Sequence, residues 1–153
     1  MKFPLVIILV LLMSSPAYSE SVVEVARSQI GKGEIGGNNR GPNVKKYTKG
    51  QEVAWCSGFV SWVVNRAGKN DNYFLSARSW LKAKGSKKVT RPKAGDLIVF
   101  ARGNHAGHVG IVEYVSEGNI HTIEGNVGPY PAKVKRMTYQ LGHIKNLIGF
   151  VRI

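Results

Sequence analysis

Apolar residues recur along the chain at two different periods, and the change falls near Pro92. Before it the spacing is helical. Val22, Val23, Ala26 and Ile30 share one helical face behind Ser21-Val22-Val23-Glu24, which has capping-box spacing, and Gly31 stops the turn. Phe59, Val60, Val63, Val64 and Ala67 repeat the pattern over residues 56–67, closed by Gly68. Ala77, Trp80 and Leu81 predict a third helix over residues 76–84. After Pro92, residues 97–100, 108–115, 119–124, 133–139 and 147–152 are β-branched or alternating runs separated by Gly, Asn and Pro, which predicts strands. Helices followed by strands imply an α+β domain with an antiparallel sheet. Residues 31–50, rich in Gly, Asn and Lys with Pro42 among them, read as a long irregular loop. Gly31-Lys32-Gly33-Glu34-Ile35-Gly36 spells GxGxxG, but it follows a helix and leads to Pro42, whereas a dinucleotide fingerprint follows a strand and opens a helix.

The N-terminus alters the setting. Met1 and Lys2 precede an unbroken apolar run at residues 5–13, and Ala17-Tyr18-Ser19 supplies small residues at alternate positions, so residues 1–19 read as a cleavable secretory signal. The run is too short for a membrane span, which needs roughly 20 apolar residues, and no transmembrane segment is expected after cleavage. Residues 20–153 then form a single domain, secreted to the periplasm or the extracellular cell wall. The chain carries 22 Lys and Arg against 9 Asp and Glu, a formal charge of +13, and losing the signal removes only Lys2, leaving +12. Composition that is 43% hydrophobic is enough for a core, so the charge reflects a basic folded domain rather than disorder. Such an excess calls for a polyanionic neighbour, and export turns the expectation from nucleic acid to anionic polymers of the cell envelope.

Export also bears on the single cysteine, Cys56. A lone thiol in an oxidising compartment cannot pair within its chain, so it is inert, used between chains, or kept reactive. Its position at a predicted helix start favours the thiolate. His108 opens a predicted strand, and Glu124 and Asn126, two residues apart on the next, are expected to share a face. Either one can accept the Nδ1 hydrogen of His108 and fix its tautomer, as the third member of a triad does.

Four ordered blocks carry a resemblance: Ala54-Trp55-Cys56-Ser57-Gly58-Phe59-Val60-Ser61-Trp62-Val63, Lys93-Ala94-Gly95-Asp96-Leu97-Ile98-Val99-Phe100, Gly107-His108-Val109-Gly110-Ile111-Val112 and Ile123-Glu124-Gly125-Asn126. Together they resemble the CHAP domain family, relatives of the NlpC/P60 peptidases among the papain-like cysteine hydrolases. The resemblance implies a papain-like, NlpC/P60-like arrangement with N-terminal helices packed on a C-terminal antiparallel sheet. It implies hydrolysis of peptidoglycan, as an N-acetylmuramoyl-L-alanine amidase or as an endopeptidase on stem peptides or cross-bridges. Cys56 then matches the nucleophile, His108 the base, and Glu124 with Asn126 the orienting positions. Gln51 lies near where papain-like enzymes keep an oxyanion glutamine, Tyr47 is its rival, and Trp55 is a candidate cleft residue.

No cofactor is expected. Some relatives bind calcium through an acidic loop ahead of the helix, whereas residues 36–50 hold no Asp or Glu, so no metal site is expected either. A metal hydrolase is disfavoured because the chain has no HExxH. A non-catalytic basic wall-binding module is the alternative from another class, and the same hydrolase used as an antibacterial toxin, with an immunity protein as partner, is an alternative role.

Overall fold

The computed structural model describes residues 20–153, and the predicted signal at residues 1–19 lies outside the described residues. Helices α1 (Val22–Arg27), α2 (Pro42–Thr48) and α3 (Cys56–Arg66) and a 3-10 segment (Ala77–Lys82) precede strands β1 (Lys87–Val89), β2 (Leu97–Arg102), β3 (Ala106–Ser116), β4 (Asn119–Val127), β5 (Lys133–Gln140) and β6 (Leu147–Arg152). The strands form one six-stranded sheet in the order β1-β6-β2-β3-β4-β5, antiparallel at every pairing. The fold is therefore α+β, as the change of period predicts. No described helix is long and apolar enough to cross a membrane.

The sheet has apolar layers on both faces. Leu97, Val99, Val109, Ile111 and Ile123 point to the helices, where Phe59, Val60, Val63 and Val64 of α3 meet them. Ile98, Phe100, Val112, Ile120 and Phe150 form a smaller cluster on the opposite face. This is why residues 97–100 read as a continuous apolar run: a central strand buried on both sides has no polar alternation to show.

The predicted loop at residues 31–50 contains α2, a correction to the sequence reading. Pro42 stands in the first turn of α2, where its missing N–H is harmless, and Lys49 closes the helix in the left-handed conformation at φ 54°. The third predicted helix is a 3-10 segment, and the short edge strand β1 has no counterpart in the sequence reading. Helices α2 and α3 cross closely at Gly58, where a Cβ would stand 2.5 Å from the Tyr47 carbonyl oxygen.

Glu34 ties the irregular part of residues 31–41 to the rest. Its buried carboxylate accepts from the Trp55 indole N–H (3.2 Å), the Asn39 backbone N–H (2.8 Å) and the Ala132 backbone N–H (2.8 Å). Glu34→Ala leaves these donors without their carboxylate and is expected to cost about 3 kcal/mol, each orphaned buried donor costing roughly 1–3 kcal/mol. A drop in the urea midpoint at unchanged slope is the expected readout.

Candidate active site

Cys56 is the first residue of α3 and is 6% exposed. Trp55, its N-cap, makes no capping hydrogen bond to the helix with its side chain, so the helix-start N–H groups beside the thiol lack side-chain caps. His108, on the third residue of β3, is 5% exposed. Its Nε2 lies 2.7 Å from Oε2 of Glu124 on β4, itself buried. The other carboxylate oxygen, Oε1, accepts from the Thr122 hydroxyl at 2.6 Å and the Tyr139 hydroxyl at 2.9 Å. Gly110 makes the approach possible, because a Cβ there would stand 2.5 Å from Glu124 Cγ.

This corrects the expected wiring of the imidazole. Nε2, rather than Nδ1, meets the carboxylate. Nδ1 is buried without a close hydrogen-bond partner and is the ring nitrogen left for the thiol. The thiol and the imidazole each shift the other's titration. Burial opposes the Cys56 thiolate, but His108, the Val109 backbone N–H and the Arg102 charge together hold the thiol pKa below its ordinary value. Burial also opposes imidazolium at His108. Interaction with Cys56, and the hydrogen bond and charge of Glu124, outweigh it and raise the pKa to about 9. Both shifts favour a thiolate–imidazolium pair.

The remaining sequence candidates separate. Asn126 does not join His108. Between Glu124 and Val127 two residues of β4, Gly125 and Asn126, face one of β5, Val134, and Asn126 takes a φ of 60°, so the simple alternation that would align it with Glu124 is broken. Tyr47 is fully buried, stacked on Trp55, with its hydroxyl donating to Gln29 Oε1 at 2.9 Å. Trp55 is equally buried. Neither offers a surface to a ligand, which corrects their candidacy as oxyanion or cleft residues. Gln51 is exposed on the turn after α2, and its carbonyl accepts from Thr48 Oγ1. Thr122 and Tyr139, which grip Glu124, add to the residues the sequence singles out; Thr122 stands two residues before Glu124 on the same strand, the spacing that puts both on one face. Among the described residues, no group of three or more His, Cys, Asp or Glu is arranged to hold a metal ion.

The CHAP domain family model matches residues 47–126, more than half of the chain, and the protein belongs to that family. The match spans Cys56, His108, Glu124 and Asn126. No curated protein matches the chain. Among solved structures, the crystal structure of Ly7917 is similar with a TM-score of 0.56 at 18% identity, covering 86% of this chain and 60% of that one. The crystal structure of Ly7917 with the hydrolyzing product of MDP gives 0.55 at 19% identity, covering 85% and 60%. The likeness is one of fold, and this chain spans about 60% of the length of the neighbour.

Proposed function

We propose that the chain is a secreted cysteine hydrolase that cleaves an amide bond of bacterial peptidoglycan, as an N-acetylmuramoyl-L-alanine amidase or an endopeptidase on stem peptides or cross-bridges. The observation that carries the reading is the buried Cys56–His108–Glu124 array at the start of α3 in a CHAP domain. The Ly7917 complex with a hydrolysis product of MDP supports the substrate class.

Cys56 thiolate attacks the amide carbonyl, and the uncapped N–H groups at the α3 start stabilise the oxyanion that forms. His108 imidazolium gives its Nδ1 proton to the departing nitrogen as the C–N bond breaks, leaving a thioester on Cys56. Neutral His108 then takes a proton from water, the hydroxide displaces the thiolate, and the acid product leaves. Glu124 holds the ring through Nε2 in both half-reactions. Gln51 is the side-chain candidate for a second oxyanion donor. The basic surface supplies attraction to anionic envelope polymers, and an immunity protein becomes a partner if the enzyme serves as a toxin.

Purified peptidoglycan incubated with the protein should yield soluble fragments whose masses identify the bond cut. Iodoacetamide should stop the release and EDTA should leave it intact. Release that persists after complete alkylation of Cys56 overturns the reading. The pH dependence has a definite sign. Because the His108 pKa is raised to about 9, imidazolium survives through neutral pH, and kcat/KM should fall only as pH rises through about 9. The acid limb follows the lowered thiol, both limbs being properties of the pair. A loss of activity centred near the ordinary imidazole value of 6.5 contradicts the coupling.

A further inference from the structure

We infer that the cavity beside His108 receives the amine-side half of the scissile amide, and that Arg102 and Lys145 hold a carboxylate carried by that half. The inference rests on the hydrolase reading and deepens it by naming a chemical feature of the leaving group.

The cavity has a volume of about 460 Å³ and lies on the sheet face turned away from the helices. Phe100, Tyr139 and Ile144 give it apolar wall, while Arg102, His108 and Lys145 bring polar groups to it. Cys56 does not line it, so it opens on the imidazole side of the pair. That side has a chemical meaning. An amide placed with its carbonyl carbon over the thiolate and its nitrogen near the acid that protonates it extends its amine half past the imidazole.

The charge of the cavity is unspent. Arg27 and Arg136 are paired with buried Glu113, and Arg152 with buried Asp96. Arg102 and Lys145 have no carboxylate partner among the described residues, and both are exposed at the cavity. Arg102 lines the same cavity as His108 and Tyr139, so the guanidinium borders the space next to the imidazole. A guanidinium and an ammonium converging on a partly apolar cavity suit a carboxylate borne by a short peptide.

Soluble muropeptides prepared with free carboxylates, and the same material with its carboxylates converted to carboxamides by carbodiimide coupling to ammonia, test this directly. The wild-type protein is expected to favour the free form by about 10- to 100-fold in kcat/KM, the range of a charge-assisted contact. Arg102→Gln with Lys145→Gln should bring that ratio towards one. Lys87→Gln with Lys88→Gln, on β1 outside the cavity, should preserve it and so separates a local contact from general charge attraction. Equal rates on both forms by the wild type, or an unchanged ratio in the Arg102 and Lys145 variant, overturns the inference while leaving the hydrolase reading intact. Cleavage of neither form overturns the hydrolase reading itself. Calorimetry with Cys56→Ala gives a readout independent of turnover: the carboxylated fragments should bind more tightly, and equal affinity for the two forms again overturns the inference.

Discussion

Cys56→Ala is expected to lower the release of soluble fragments from purified peptidoglycan by at least about ten-thousand-fold, in line with removal of a nucleophile that acts as one unit with its base. Nothing else on the chain can take over: Cys56 is its one cysteine. The fold should survive, because the substitution removes a single sulfur from a helix start and alanine is a better helix former than cysteine. Unchanged circular dichroism, and a urea midpoint close to wild type, would assign the loss to chemistry. Cys56→Ser tests the same point from another side. A hydroxyl has too high a proton affinity for His108 to ionise it at rest, so an oxygen in place of sulfur should leave activity nearly as low. Substantial turnover by either variant would remove Cys56 from the mechanism.

Glu124→Gln should lower kcat by about a hundred- to ten-thousand-fold, the range for disturbing an orienting group or a general acid–base. The amide keeps the shape but replaces one carboxylate oxygen by a donor, so it must face either the His108 Nε2–H or the hydroxyls of Thr122 and Tyr139 with the wrong group. Burial and the Glu124 charge and hydrogen bond also push the Tyr139 hydroxyl pKa up, keeping it protonated as a donor. The pH profile separates a role in the pair from a merely structural one. Glu124 is among the groups that raise the His108 pKa, so its neutralisation should lower that pKa and move the alkaline limb below the wild-type value of about 9. Alkylation of Cys56 at neutral pH should slow together with it, because less imidazolium is present to stabilise the thiolate. A variant with reduced activity but an unmoved limb would leave Glu124 as packing alone.

Much of this arrangement was legible in the chain because period and punctuation carry it. The strand order His108 then Glu124, and the helix beginning at Cys56, follow from alternation, Gly stops and β-branched runs. The ring wiring was not legible, since spacing along a strand fixes a face and leaves open which imidazole nitrogen points where. The alternation that aligns Asn126 with Glu124 holds only on an unbroken ladder, and the bulge that breaks it depends on pairing with β5. The burial of Tyr47 is not legible in the chain because its helix, α2, lies in a segment whose Gly and Asn content masks the helical run from Pro42 to Thr48. Glu34 carries no signal as a single acid in a glycine-rich stretch, because the donors it collects, from Asn39, Trp55 and Ala132, lie far apart in sequence.

The ends of the sheet give part of the charge excess a second use. Strands β1 and β5 are its two margins. The first half of β5 is covered by residues 31–34 through the Gly33–Lys133 bridge and bonds between Val134 and both Gly31 and Lys32. On the open margin, β1, Lys87 and Lys88 are exposed. An open margin is a template for strands of other chains, and two copies approaching edge to edge here would bring like charges together while their ammonium groups lost water. Neutralising these residues would therefore have a cost in self-association at high concentration, separate from any loss of attraction to an anionic wall.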